Sequence, residues 1–130
     1  MCCNENDFKE CGVSRQKARY ITGVAQAVVS GSLNFDDLHL KPHKEIRDEL
    51  IKLKGVGNWT VDIYLMFSLS SPDILPLGDI AIISAIKDIW GFSDLNEIVN
   101  HTKNWTPYRS YAAFLLWHYY LCKRGRSFPH

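Results

Sequence analysis

"LKGVGNWTVDIY", residues 53–64, is the stretch on which the reading of this chain turns. Two glycines, Gly55 and Gly57, stand one residue apart between two helical patterns, and Trp59 sits where the second helix should begin. Gly-Val-Gly can simply end a helix and turn the chain. It can also let main-chain amides approach an anion. Upstream, "HKEIRDELIKL" follows Pro42 and sets Ile46, Leu50 and Leu53 in an apolar stripe with charges on the other faces, the pattern of an amphipathic helix. That helix should stop at Lys54-Gly55. Downstream, "NWTVDIYLMFSLS" reads as a nearly buried helix with Asn58 as its N-cap.

Outward from this stretch the pattern stays helical. Ser14 is a good N-cap for "RQKARYITGVAQAVVSG", in which Ala18, Ile21, Ala25 and Val28 recur at helical spacing and Gly31 is the stop. "SLNFDDLHLKP" reads as a loop with one turn at most, pinned to the core by Phe35, Leu38 and Leu40. "SPDILPLG" is a loop stiffened by Pro72 and Pro76. Asp79 then opens "DIAIISAIKDIWG", helical by length despite its β-branched content, ending at Gly91. "SDLNEIVNHTKNW" is a weaker helix. Thr106-Pro107 reads as an N-cap with Pro at the first helical position of the last and most apolar helix, "PYRSYAAFLLWHYYLCK". The fold class is therefore all-α, a helical bundle, and 130 residues fit one domain.

Composition narrows the function classes. Fifteen Lys and Arg against fourteen Asp and Glu leave a formal net charge of +1, which argues against broad nonspecific nucleic-acid affinity. Basic residues do cluster, at Arg15, Lys17 and Arg19 and again at Lys123, Arg124 and Arg126. The apolar runs are too short to span a bilayer, and "MCCNENDFKEC" lacks the apolar core of a secretory signal. A cytoplasmic (nucleoid) or nuclear location is expected. Cys2, Cys3, Cys11 and Cys122 form no CxxC pair, so free thiols are expected and no iron–sulfur cluster. His101 and His118 show no ligand spacing.

Read as a helix–hairpin–helix, the glycine stretch acquires a chemistry. Gly55 allows a positive φ after the first helix, and Gly57 removes a side chain where the second begins. Val56 should pack beneath the turn. The amides from Gly55 through Val56, Gly57, Asn58 and Trp59 to Thr60 would then point outward at a helix N-terminus, which favours an anion such as a DNA phosphate without any basic side chain. Asp79 follows Gly57 by twenty-two residues. It is either an ordinary N-cap or a carboxylate held at the mouth of a cleft.

Three segments carry a resemblance. "LKGVGNWTVDIYLMFSLSSPDILPLGDIAIISAI" resembles the core of the helix–hairpin–helix (HhH-GPD) DNA glycosylases, with their Gly/Pro-rich loop and catalytic aspartate. "NWTPYRSYAAFLLWHYY" resembles the last helix of the 3-methyladenine DNA glycosylase II branch, and "GVSRQKARYITGVAQAVVSG" the helix before the hairpin region. The resemblance covers residues 12 to 122. It implies that Asp79 is catalytic, that Gly55, Val56 and Gly57 bind phosphate, and that main-chain carbonyls near Ile51, Leu53 and Val56 hold a monovalent cation, Na or K, with no other cofactor required. Trp59 stands where lyase members carry a Schiff-base lysine, and Trp cannot form that imine. A monofunctional base-excision-repair enzyme acting on alkylated purines in double-stranded DNA is implied.

A cationic base such as 3-methyladenine would be held by aromatic rings at about 0.5–2 kcal/mol per contact. Trp59, Trp117 and Tyr64 are the base-pocket candidates, whereas Phe114, Tyr119 and Tyr120 read as core. Arg109 reads as a structural residue or a phosphate contact. The resemblance also implies upstream helices that complete the cleft and that this chain lacks, with apolar faces on its first and last helices left open to association. A noncatalytic helix–hairpin–helix DNA-binding module, or an inactive truncated glycosylase, is the alternative reading.

Overall fold

A computed structural model describes residues 3–125 of the chain. Among the described residues every regular element is a helix: α1 (Glu5–Glu10), α2 (Arg15–Val29), α3 (Phe35–His39), α4 (His43–Ile51), α5 (Asn58–Phe67), α6 (Ile80–Trp90), α7 (Leu95–Thr102) with a 3-10 turn Lys103–Trp105, and α8 (Arg109–Lys123). They fall into two compact units, residues 1–57 and 58–130. No helix among the described residues is long and apolar enough to cross a membrane. Cys2 and Arg126 lie outside the described residues.

In the first unit, local caps set the helix starts. Ser14 accepts from the Lys17 amide and begins α2, and Asn34 accepts from Asp36 and Asp37 and begins α3. Sequence patterning missed α1, whose Asn4–Asp7 capping box is written in polar residues without an apolar stripe. Leu38, Ile46, Leu50, Leu33 and Ala18 are buried. One apolar assignment fails. Leu40 does not reach the core and is 86% exposed, because it lies at the end of the short α3, past the turn that buries Leu38. Ile21 and Val28 stay open on α2, where Ala18 is the one buried residue, as expected of the apolar face of the first helix read from the sequence.

The turn after α4 is tight. The helix stops at Ile51, short of the expected Lys54, and the Val56 amide donates to the Leu53 carbonyl at 3.1 Å. Gly55 has φ +88°, and a Cβ there would lie 2.3 Å from the Tyr20 ring. Both the backbone and the packing therefore demand glycine. Gly57 differs: a Cβ there would meet nothing within 4 Å. Val56 is half-buried, as the turn reading expects.

In the second unit α6 packs on α8. Ile82, Ala85 and Ile86, spaced i, i+3, i+4 on α6, join Met66, Leu75, Ile98, Ala113 and Leu116 in one buried cluster. Burial of each large aliphatic is worth about 1.5–3 kcal/mol, which outweighs the small helix penalty of β-branched residues. Gly91 ends α6 at φ +72°, and Asp94 starts α7 through a capping box with Glu97. Asn58 is already the first helical residue of α5 rather than its N-cap.

The start of α8 corrects the Thr106-Pro107 reading. Thr106 and Pro107 precede the helix, which begins at Arg109. Its first amides are satisfied from afar, Arg109 N donating to Asp73 Oδ1 at 3.2 Å and Ser110 N to the Pro72 carbonyl at 2.9 Å. Tyr119 is likewise not core. It is 37% exposed and its hydroxyl donates to Asp88, which also receives Lys123. Tyr120 and Phe114 do pack against the core.

Gly55→Ala should lower unfolding free energy by about 1–3 kcal/mol, the range for a strained backbone position plus overpacking. Adding Tyr20→Ala should recover the steric share and leave the backbone share. Denaturant unfolding of the single and double variants reads both.

Candidate functional site

The site is built around Asp79 in the second unit. Its backbone is extended (φ −86°, ψ 121°), as an N-cap requires. Oδ1 accepts from the Ala81 amide at 2.8 Å and the Ile82 amide at 3.2 Å. Oδ2 accepts from the Trp59 indole Nε1–H at 2.8 Å. A carboxylate offers about four lone-pair sites, so three are used and one remains, on Oδ2. The sequence assigned Asp79 and Trp59 separately; the structure joins them across twenty residues.

The loop that delivers Asp79 is held rather than slack. The Asp79 amide donates to the Pro76 carbonyl, and Pro76 is fully buried beside Leu75. Ser110, 3% exposed, ties the loop to α8: its Oγ donates to the Ser71 carbonyl at 2.6 Å and accepts from the Ile74 amide at 2.8 Å. Arg109 grips Asp73 with both ends of its fork, Nε to Oδ1 at 2.8 Å and Nη2 to Oδ2 at 3.0 Å. The Arg109 guanidinium holds the Asp73 carboxyl below its ordinary value, and the same bond raises Arg109. Arg109 is thus structural. Sequence could not pair Asp73 with Arg109 or Ile74 with Ser110, because 36 residues separate the two members of each pair and no periodic signal links them.

The aromatic candidates separate. Trp59 is 48% exposed and lies in the first turn of α5. Its Cβ is near the Gly78 backbone, where an added Cβ would sit at 3.9 Å. Trp117 belongs to a different group, stacked on Phe67 at 6.2 Å and edge-on to Phe114 at 5.7 Å. Phe67 is 55% exposed, so this aromatic face is open on its side, while Trp117 and Phe114 pack against the core cluster. Tyr64 is half-buried, and burial raises its pKa. Ile80, beside Asp79, is 82% exposed. An apolar residue left open next to a carboxylate was not singled out by pattern, since one exposed isoleucine in a β-branched helix carries no sequence mark.

Of the other candidates, Gly55, Val56 and Gly57 close the first unit, with Ile51 and Leu53 just before them; Asn58, Trp59 and Thr60 open the second. The amides of Trp59 and Thr60 lie in the first turn of α5, where the helix supplies no acceptor. Arg15, Lys17, Arg19, Lys123 and Arg124 are exposed, with Lys123 engaged by Asp88 and Arg124 over the Tyr120 ring. His101 is ringed by Trp90, Phe92 and Trp105. Cys3, Cys11 and Cys122 are free thiols.

Comparison with known proteins places this geometry. Residues 1–107 match the model of the HhH-GPD superfamily of base excision DNA repair proteins. The chain is 32% identical over 114 residues to a DNA-3-methyladenine glycosylase of Bacillus subtilis, covering 85% of this chain and 38% of the relative. A DNA-3-methyladenine glycosidase of Bacillus halodurans superposes with a TM-score of 0.80 at 30% identity, over 95% of this chain and 58% of the other. The Schizosaccharomyces pombe 3-methyladenine DNA glycosylase Mag1, solved with abasic DNA, gives 0.81 at 26% identity over 89% and 58%. The chain thus spans little more than a third of one relative's length and somewhat over half of two others.

Ser110→Ala should cost about 1–3 kcal/mol, because it strands buried loop groups. Asp73 contributes stability that is full above its ordinary value of 3.8 and lost as pH falls through its lowered folded-state value. Asp73→Asn should therefore be less stable near neutrality and show a flatter acid limb in unfolding measured from pH 7 down to about 3.

Proposed function

This chain belongs to the HhH-GPD superfamily of base excision DNA repair proteins, and on that premise we propose that it is a monofunctional DNA glycosylase hydrolysing the N-glycosidic bond of alkylated purines of the 3-methyladenine type. The observation that carries the reading is the Asp79 carboxylate: fixed by three N–H donors, one acceptor site still open, beside a solvent-facing indole. The names of the relatives supply the substrate class.

The target bond lies within a duplex, so the nucleotide must be turned out of the stack, at a cost of a few kcal/mol (about the energy of unstacking and unpairing). An alkylated purine is cationic and already a good leaving group. It needs little proton donation, and one carboxylate suffices where ordinary glycoside hydrolysis uses two. Asp79 stabilises the positive charge that develops on the deoxyribose and orients the attacking water through the free site on Oδ2. Trp59 offers its open faces to the cationic base. Trp117 and Tyr64 are the further candidates for lining the pocket. With Trp59 where lyase members have a lysine, no imine forms and the strand is left uncut.

DNA is the partner. The Val56 amide is taken by the Leu53 carbonyl; the other amides from Gly55 to Thr60 are assigned to a backbone phosphate, with Val56 itself shaping the turn, and the space a Cβ would fill at Gly57 allows that close approach. The carbonyls of Ile51, Leu53 and Val56 are hard, neutral oxygen donors of the kind that suits Na or K; that of Leu53 already accepts from Val56 and keeps a second lone pair. Association through the exposed faces of α2 and α8 belongs to the same proposal.

Base release from duplex DNA bearing alkylated purines tests the reading, scored as free base and as alkali-labile abasic sites. Wild-type chain should release 3-methyladenine. Asp79→Asn keeps a good helix cap and should bind DNA within a few-fold of wild type yet release base on the order of a hundredfold more slowly or worse. Wild-type chain that binds but releases nothing would leave the noncatalytic module instead. Gly57→Ala should fold normally and bind DNA several-fold more weakly in a fluorescence anisotropy titration.

A further inference from the structure

We infer that the Trp59 indole N–H is a positioning group for Asp79, so that one side chain both presents a stacking face and sets the plane of the carboxylate beside it; this rests on the glycosylase reading. Two amides pin Oδ1. They leave the carboxylate free to swing about that oxygen, and the side chain is only half-buried, so nothing nearby encloses it. The bond from Nε1 at 2.8 Å is the contact that fixes Oδ2. It also consumes one of the two lone pairs there, and the remaining one has a single direction. That direction is where a water or a sugar carbon meets the charge.

The same bond acts in reverse on the ring. Trp59 makes no ring–ring contact among the described residues, and 48% of it is exposed, so packing alone would not hold the indole. Its N–H edge is tied to Asp79 and its backbone sits in the first turn of α5 against Gly78. A flat base lying on such a ring is parallel to it, with the acid at the ring's edge. The face that receives the base and the acid that acts beside it are therefore held in register by one side chain before any base arrives. Trp59 is a positioning residue in this role, acting through Asp79.

Single-turnover base release and DNA affinity of Trp59→Phe decide it, with Trp59→Ala and the Trp59→Phe/Asp79→Asn double variant alongside. Phe keeps a flat face and drops the donor. The expected result is a rate about ten- to a hundredfold lower, the scale of a slight misplacement of a reacting group, with the dissociation constant for abasic-site DNA changed less than about threefold, since the stacking face is kept. Trp59→Ala should lose affinity as well. In the Asp79→Asn background the Phe substitution should slow nothing further. Wild-type rate in Trp59→Phe would overturn the proposal and leave Trp59 a stacking surface only. So would a proportional loss of rate and affinity with a lowered melting temperature, which marks a structural residue. The indole N–H resonance of Trp59 in proton–nitrogen spectra gives a readout apart from activity. It should move upfield and exchange faster in Asp79→Ala; no change there also overturns the proposal. An inactive wild-type chain whose indole resonance still responds to Asp79 would remove the excision reading and the positioning role with it, leaving the contact alone.

Discussion

A single carboxylate ends one structure and begins another. Asp79 must accept from the Ala81 and Ile82 amides because a helix leaves its first N–H groups without partners, and it must stand at the surface because Ile80 and Trp59 beside it are open to solvent. Everything beneath serves that placement. The Ile82–Ala85–Ile86 face seats α6 on the core, and Ser110 and Arg109 bolt the preceding loop to the head of α8. Buried Pro76 and Leu75 fix where the chain enters. On the proposed function, stability and chemistry meet in the same two oxygens.

The loop anchorage explains why the last helix starts where it does. Asp73 and the Pro72 carbonyl supply to α8 the acceptors that a neighbouring N-cap would otherwise provide. An exchange follows: the loop caps the helix, and the helix stiffens the loop. A Gly/Pro-containing segment between α5 and α6 becomes as well held as the helices it joins, which suits a segment that must aim one carboxylate.

How far the sequence could be read depended on whether a constraint is local. Gly55 was legible because a positive φ leaves its mark on one residue, although the Tyr20 ring against it left none. Asp79 was legible as a cap because capping acts within three residues. The β-branched α6 was recovered by its length and its glycine stop. Thr106-Pro107 misled because the true acceptors lie in a distant loop, and α1 escaped because it carries polar caps and no stripe. Leu40 reads as a core contact on its apolar character alone, which does not report what covers a residue, whereas the open face of α2 agrees with its expected exposure. The aromatic residues of α8 were the least legible: Trp117 joins Phe67 and Phe114, Tyr119 turns to Asp88, and spacing alone does not distinguish these fates. The joining of Trp59 to Asp79 needed coordinates altogether.

The double duty proposed for Asp79, helix cap and reacting carboxylate, bears on how such a chain can drift. A lineage released from the need to repair DNA would still be held, at this position, to the few short polar residues that can begin a helix. Loss of the chemistry would then surface as an isosteric swap and leave the architecture intact. A descendant that has kept the scaffold and abandoned the reaction would be nearly indistinguishable from its working ancestor, except at one oxygen exchanged for nitrogen.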